Sequence, residues 1–227
     1  MLSKLCAAAL LLCASMASHS TVIFGEDLDP SSSNANSIAA NASFLSQLVG
    51  VGTEDFESFS NNQSGPLVAD FGVAGTATLS GSGEIVGDDG FGRFATSGTQ
   101  FWETNENFMI TFSNAISAFG FFGTDIGDFG GQITLGFEDG NATSLMVNNT
   151  TSAPDGALLF WGIIDTANPF TSVTFGNTDS SDYFGFDDLV IGVAEQVIVG
   201  EVPEPSAFLI FGLGIAGLAL SRKQTKK

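Results

Sequence analysis

The sequence predicts a mainly β protein: an antiparallel β-sandwich or jelly roll with a short N-terminal helix and a C-terminal transmembrane helix. Over residues 53–200, short apolar stretches are separated by Gly, Asn, Asp and Ser, as strands are separated by turns. No long helical pattern lies between these stretches, which favours antiparallel pairing over parallel crossovers. The 22 phenylalanines provide apolar side chains for a core.

Residues 1–20 have the layout of a secretory signal peptide, with one lysine, an apolar core and then small residues. Cleavage after Ala17 and cleavage after Ser20 both fit this layout. Both cysteines, Cys6 and Cys13, lie in this segment. The exported domain is therefore expected to contain no disulfide and to depend on its hydrophobic core.

Residues 21–52 are predicted to form a leader with one short helix. Residues 21–35 are rich in Ser, Asn and Asp and are expected to be mobile. Residues 36–49 place apolar side chains at helical spacing, and Gly50 and Gly52 end the pattern. We expect the helix to dock on the domain through an apolar stripe of Ile38, Ala42, Leu45 and Val49, with Phe44 and Leu48 beside it.

Several stretches of the domain show the alternation of a strand with one buried face. Residues 133–137 and 143–147 alternate and flank an Asp-Gly turn, which predicts a hairpin. Residues 108–112 and 172–175 alternate in the same way. Two further stretches are continuously apolar and are expected to be strands covered on both faces: residues 116–122 and 157–164.

The last segment, residues 201–227, combines a Pro-Glu-Pro motif, an apolar run and a basic end. Residues 206–220 are uncharged and are followed closely by Arg222, which favours a membrane segment with its C-terminus inside the cell. As a helix this run would span roughly 22 Å, less than the roughly 30 Å of a hydrocarbon core. Such a length suits a segment that is held in the membrane briefly and then processed.

The three parts of this tail resemble the PEP-CTERM sorting signal of exported bacterial proteins, a tail also named after ice-binding proteins. The parts are the apolar helix, the basic end from Arg222, and the motif Val202, Pro203, Glu204 and Pro205. The resemblance implies recognition by an exosortase, a membrane-embedded transpeptidase-like enzyme, and removal of the tail near Pro-Glu-Pro. It also implies an exopolysaccharide-producing bacterium and a final place at the cell surface or in a biofilm matrix. The alternative is an ordinary single-span anchor in which Pro-Glu-Pro is accidental.

The middle of the chain, roughly residues 53–192, also resembles an ectodomain that recurs on PEP-CTERM proteins. That resemblance rests on four segments, residues 54–57, 92–98, 118–128 and 184–189. It implies a lectin-like β-sandwich exported as a surface or matrix protein, and it implies no established activity.

The charge of the domain is strongly one-sided. All 25 carboxylates lie between Glu26 and Glu204, whereas Arg93 is the only basic residue between the signal peptide and the tail. Such a surface repels nucleic acid, which is not expected as a partner. The expected partners are the exosortase and the membrane, both through the tail, and extracellular polysaccharide. Arg93 is expected to pair with carboxylates, and a site for a ligand anion is the alternative.

Catalysis is not expected. His19 lies at or next to the signal cleavage point, so a Ser-His-Asp or Cys-His arrangement has no base inside the domain. A carboxylate pair could hydrolyse glycosides, but a pair at suitable spacing has little specificity among 25 carboxylates. The favoured function is a non-catalytic surface or matrix protein, with a carbohydrate-binding module and a glycan-acting enzyme as alternatives.

Calcium is the one cofactor that the sequence suggests, because this hard cation takes oxygen ligands from carboxylates and carbonyls on loops. Asp125 and Asp128 lie three apart in a glycine-rich loop. Asp187 and Asp188 form a second candidate pair. Neighbouring residues of a strand point to opposite faces, so these two reach one ion only at a bulge or a strand end. For both pairs, the alternative is that the carboxylates cap backbone N–H groups in turns.

Trp102 and Trp161 are candidates for stacking on sugar rings. Each lies in an apolar or aromatic stretch, which favours packing in the core instead. A lectin predicts at least one exposed tryptophan beside a polar groove, and a glycan-acting enzyme predicts two carboxylates facing into a cleft. A matrix protein predicts neither.

Overall fold

The computed structural model describes residues 20–88, 90–138 and 143–198. These residues form one α-helix and thirteen strands, and their strand pairings are antiparallel. The helix α1 is Ala35–Leu45. The strands are β1 Thr21–Asp27, β2 Thr53–Glu54, β3 Leu67–Asp70, β4 Thr76–Gly81, β5 Glu84–Gly87, β6 Gln100–Thr104, β7 Phe108–Ile116, β8 Ala118–Thr124, β9 Ile133–Phe137, β10 Thr143–Met146, β11 Leu158–Ile164, β12 Phe170–Asn177 and β13 Phe184–Gly192.

The strands form two sheets that enclose one core, which confirms the predicted antiparallel sandwich. The first sheet has seven strands in the order β1-β11-β8-β13-β6-β5, with the short β2 also paired to β13. The second sheet has six strands in the order β10-β9-β12-β7-β4-β3. Apolar residues of both sheets belong to a single buried cluster, as expected where two half-buried sheets face each other.

Aromatic rings fill the centre of this core. Phe175 of β12 stacks on Phe108 of β7 with ring centroids 4.2 Å apart. Three rings from the first sheet meet Phe175 edge-on, at 4.8 Å for Phe186, 5.3 Å for Phe121 and 6.0 Å for Phe119. Such edge-to-face pairs add stabilisation beyond the apolar area that they bury.

The strands of the second sheet show the predicted alternation. Along β7, Phe108, Ile110 and Phe112 are buried while the residues between them are exposed. The predicted hairpin is also present, because β9 and β10 pair with Leu135 opposite Leu145. Its Asp-Gly turn lies outside the described residues.

The two continuously apolar stretches are strands covered on both faces, as predicted. Every residue of β8 and β11 is buried. Along β8, Phe119 and Phe121 face the core between the sheets, whereas Ala118 and Phe122 belong to a second apolar cluster beneath α1. The helix therefore forms a third layer on the outer face of the first sheet.

The predicted helix is present, but its buried face differs from the predicted stripe. Ile38 and Val49 are 48% and 58% exposed, while Ala40 and Phe44 are buried. The reason lies in the sheet beneath, where Gly120 and Gly162 leave room for the Phe44 ring. A Cβ on Gly162 would lie 2.8 Å from that ring, closer than side chains approach one another.

The predicted mobile leader is not found at residues 21–27, because these form β1 at the edge of the first sheet. β1 pairs with β11 along its whole length, from Thr21 opposite Ile164 to Asp27 opposite Leu158. The acidic and polar character of this segment also has a structural role. The Asp27 carboxylate accepts hydrogen bonds from the backbone N–H groups of Asn36 and Ser37 in the first turn of α1, at 3.1 and 2.8 Å.

Among the described residues, no helix is long and apolar enough to cross a membrane. The predicted transmembrane segment 206–220, the Pro-Glu-Pro motif and the signal peptide up to residue 19 all lie outside the described residues.

Candidate functional site

Four loops meet around a group of carboxylates at one end of the sandwich. They are residues 90–99 before β6, 125–132 after β8, 147–157 before β11 and 178–183 before β13. Hydrogen bonds and ion pairs between the loops hold the group together, and Arg93 is the basic residue nearest to it.

Asp125 lies at the centre of this group and is 1% exposed. Its Oδ1 accepts a 2.7 Å hydrogen bond from Gly156 N–H, and its own N–H donates to the Ala157 carbonyl at 2.8 Å. Its Oδ2 lies 3.3 Å from Arg93 Nη1. Burial raises the pKa of Asp125 to about 6, and the Gly156 N–H and Arg93 only partly offset this effect.

Arg93 pairs with carboxylates, as the sequence predicted. Its Nε lies 2.5 Å from Glu103 Oε2, so the guanidinium bridges Glu103 and Asp125. Two aromatic rings flank it, Phe91 at 5.8 Å and Tyr183 at 5.6 Å from Cζ. Such contacts add a cation–π attraction to the two ion pairs.

Asp128 and Asp155 complete a triad with Asp125. One carboxylate oxygen from each residue can be chosen so that all three lie within 4.8 Å of one another. The predicted pair of Asp125 and Asp128 is therefore brought together. Asp155 was not singled out from the sequence, because the triad forms only when the 147–157 loop folds over the 125–132 loop.

Asp182 is a buried neighbour of Asp128, and it was also not singled out from the sequence. Its side chain is fully buried, and Oδ2 accepts hydrogen bonds from Gly127 N–H at 3.0 Å and Gly131 N–H at 2.9 Å. Oδ1 has no hydrogen-bond partner among the described residues. Burial, reinforced by the neighbouring Asp128 carboxylate, raises the pKa of Asp182 to about 7.

Asp187 and Asp188 lie apart from the triad and bind the 90–99 loop. Asp187 Oδ2 accepts N–H bonds from Thr96 at 2.6 Å and Ser97 at 3.1 Å, and Oδ1 accepts the Asp188 N–H. Asp188 Oδ1 accepts the Ser97 hydroxyl at 2.7 Å, and its Oδ2 lies 2.8 Å from Thr96 Oγ1. We call this set of contacts the β13 latch.

The geometry of the β13 latch favours the capping alternative over calcium for Asp187 and Asp188. A bulge between Asp187 and Val190, with φ of +48° at Asp188, lets both carboxylates reach the same loop. All four of their oxygens are engaged by protein donors. Burial, reinforced by the charge of Asp188, raises the pKa of Asp187 to about 7.

The proposed role of Trp102 and Trp161 in glycan stacking does not hold. Their exposures are 0% and 1%, so neither ring face is available to a sugar. Trp161 lies between Phe121 and Phe137 in the core, at 6.1 and 6.2 Å between ring centroids. Both tryptophans therefore pack in the interior, as the alternative predicted.

A polar groove of about 370 Å³ lies over the edge formed by β5 and β6. Its lining includes Ser64, Ser82, Glu84, Glu103, Asn105 and Tyr183. Glu84 and Glu103 face each other across the two strands, and Tyr183 is 44% exposed. Trp102 lies directly beneath, since a Cβ on Gly83 would come 2.7 Å from its Nε1.

The C-terminal tail matches a known family model. Residues 201–223 match the PEP-CTERM protein-sorting motif. This chain carries a PEP-CTERM tail. The match includes Val202, Pro203, Glu204, Pro205 and Arg222 and confirms the predicted sorting motif, which is a signal of exported proteins that an exosortase processes at the membrane.

Outside the tail, the similarity of this chain to known proteins is weaker. No curated protein matches the chain. The K2 cleaved adhesin domain of Lys-gingipain is similar over 63% of this chain and 98% of its own, with 12% identity and a TM-score of 0.43. The C-terminal family 22 carbohydrate-binding module of Clostridium thermocellum Xyn10B is similar over 66% of this chain and 98% of its own, with 16% identity and a TM-score of 0.40.

Proposed function

We propose that this PEP-CTERM protein is a non-catalytic component of the cell surface or of the extracellular polysaccharide matrix. The match of residues 201–223 to the sorting motif carries the proposal. An exosortase recognises the tail at the membrane and removes it near Pro-Glu-Pro, and the folded domain is then released or displayed. The excess of carboxylates supports this role, because an acidic domain stays soluble outside the cell and repels other anions.

Replacing Pro203, Glu204 and Pro205 together by alanine should block processing of the tail. The fraction of protein that has lost its tail, measured by mass spectrometry of cells with an active exosortase, should fall at least tenfold. Gln224→Ala lies outside the matched residues and should be processed like the wild type. An intact tail in wild-type cells would instead indicate a plain membrane anchor.

The polar groove supports a second candidate function, the binding of extracellular polysaccharide. Its hydroxyls, carboxylates and amide are groups that hydrogen-bond to sugar hydroxyls. Tyr183 adds a partly exposed aromatic ring, which takes the stacking role that the buried tryptophans do not fill. The groove is open along the β5–β6 edge, so it suits a chain segment rather than a single enclosed sugar.

Replacing Tyr183 by alanine should weaken polysaccharide binding at least tenfold, measured on a glycan array and then by calorimetry with the best binder. Phe129→Ala is the control, because this exposed phenylalanine does not line the groove. Absence of any binder for the wild type would reject the binding function. Glu84 and Glu103 also face into the groove, so release of reducing ends during the assay would indicate a glycosidase and overturn the non-catalytic proposal.

A further inference from the structure

The cluster of carboxylates where the four loops meet carries more negative charge than its one arginine can balance. Asp125, Asp128 and Asp155 approach one another, and Asp182 stands behind Asp128 in the interior. Arg93 supplies the positive charge nearest to them, and it is shared with Glu103. Acidic clusters are common on protein surfaces, so the triad alone does not define a site.

The buried Asp182 carboxyl provides an independent indication of a ligand. Both backbone N–H donors within its reach, from Gly127 and Gly131, go to Oδ2. Oδ1 is fully buried without a partner among the described residues, and the Asp128 carboxylate is its charged neighbour. A buried carboxylate oxygen without a partner is costly, and a shared proton, an ordered water or a nearby cation would each remove that cost.

The spacing of the triad suits a calcium ion. Ca²⁺ binds carboxylate and carbonyl oxygens at 2.3–2.6 Å, so two ligands on opposite sides of one ion lie at most about 5 Å apart. The three carboxylate oxygens fall within 4.8 Å of one another, inside that limit. Asp155 is exposed and Asp128 half-buried, which leaves a path from solvent to the ligands.

We propose that Asp125, Asp128 and Asp155 bind one Ca²⁺ ion. Asp182 supports the site from its buried side, because its carboxyl faces Asp128 and its Oδ2 fixes the backbone of the 125–132 loop. The ion joins the 125–132 and 147–157 loops, and it adds to the hydrogen bonds that already connect them, from Gly156 N–H to Asp125 Oδ1 and from Asn149 Nδ2 to the Gly131 carbonyl. The inference is independent of the sorting tail and of the polar groove.

The test is calorimetric titration of CaCl₂ into the chelator-treated full-length chain in detergent, with thermal unfolding followed by circular dichroism. Extracellular modules bind Ca²⁺ with dissociation constants of about 0.1–1 mM, so 5 mM Ca²⁺ should raise the Tm by several degrees. Asp155→Asn should weaken binding at least tenfold. Asp55→Asn, also an exposed loop aspartate, is the matched control and should bind like the wild type.

The Asp182→Asn variant tests whether Asp182 supports the proposed calcium site from its buried side. The asparagine oxygen can still accept the two N–H bonds, and its amide can donate to Asp128. This variant should therefore be more stable than the wild type in chelator and respond less to Ca²⁺. If it keeps the full calcium response at unchanged chelator stability, Asp182 has no role in the site.

Two results would overturn the calcium site itself. The first is the absence of both binding heat and a Tm shift in the wild type at 5 mM Ca²⁺. The second is an equal Tm shift with Mg²⁺ and with the Asp155→Asn variant, which would indicate general screening of an acidic surface rather than a bound ion.

Discussion

Replacing Phe175 by alanine should lower the free energy of unfolding by about 3–5 kcal/mol. The ring is fully buried and stacks on Phe108 at 4.2 Å. It also meets Phe121 and Phe186 of the opposite sheet, so its loss leaves a cavity where the two sheets join. Neighbouring rings are held by their own strands and can fill only part of that space.

The measurement is urea unfolding followed by circular dichroism, with Phe129→Ala as the control. Phe129 is 65% exposed, so its truncation should change stability by less than about 0.5 kcal/mol. A loss for Phe175→Ala as small as that of the control would contradict the central position of this ring in the core.

The unfolding free energy should fall as the pH rises from about 4 to about 7, because Asp187 gains its charge in a buried site. Burial and Asp188 raise the pKa of Asp187 from 3.8 to about 7 in the folded chain. Between these values the folded state holds a proton that the unfolded state has released. The stabilisation is therefore complete below pH 4 and lost above pH 7, with a size on the order of 4 kcal/mol.

Asp187→Asn should remove this share of the pH dependence, because asparagine does not titrate and its oxygen can still accept the Thr96 and Ser97 N–H bonds. Urea midpoints at pH 5.0 and 7.5 provide the comparison. Asp55→Asn should retain the wild-type difference. An unchanged difference in Asp187→Asn would show that Asp187 does not carry the effect.

The strands of the sandwich were predictable because local pattern and burial agree there. Alternation fixed the inward face of β7 and the β9–β10 pairing, and the continuous apolar runs of β8 and β11 correctly implied cover on both faces. The sorting tail was predictable for a different reason, since its motif is linear and needs no folded context.

Features that depend on distant partners were missed. The face of α1 follows from glycines 120 and 162 in the sheet beneath it, and its own sequence favoured the stripe through Ile38. The polar strand β1 exists because the apolar β11 leaves an edge for it to pair with. The sequence did not distinguish Asp182 from other loop aspartates, because its environment depends on hydrogen bonds from two glycine N–H groups of another loop.

The pairing of β1 with β11 has a consequence for the order of folding. The two strands are separated by most of the length of the domain, and the short β2 must similarly wait for β13. Closing such long loops is slow compared with forming a local hairpin such as β9–β10. A chain that emerges from the secretion channel N-terminus first therefore completes its first sheet only after β13 has crossed, and α1 lacks most of its docking surface until β11 has crossed.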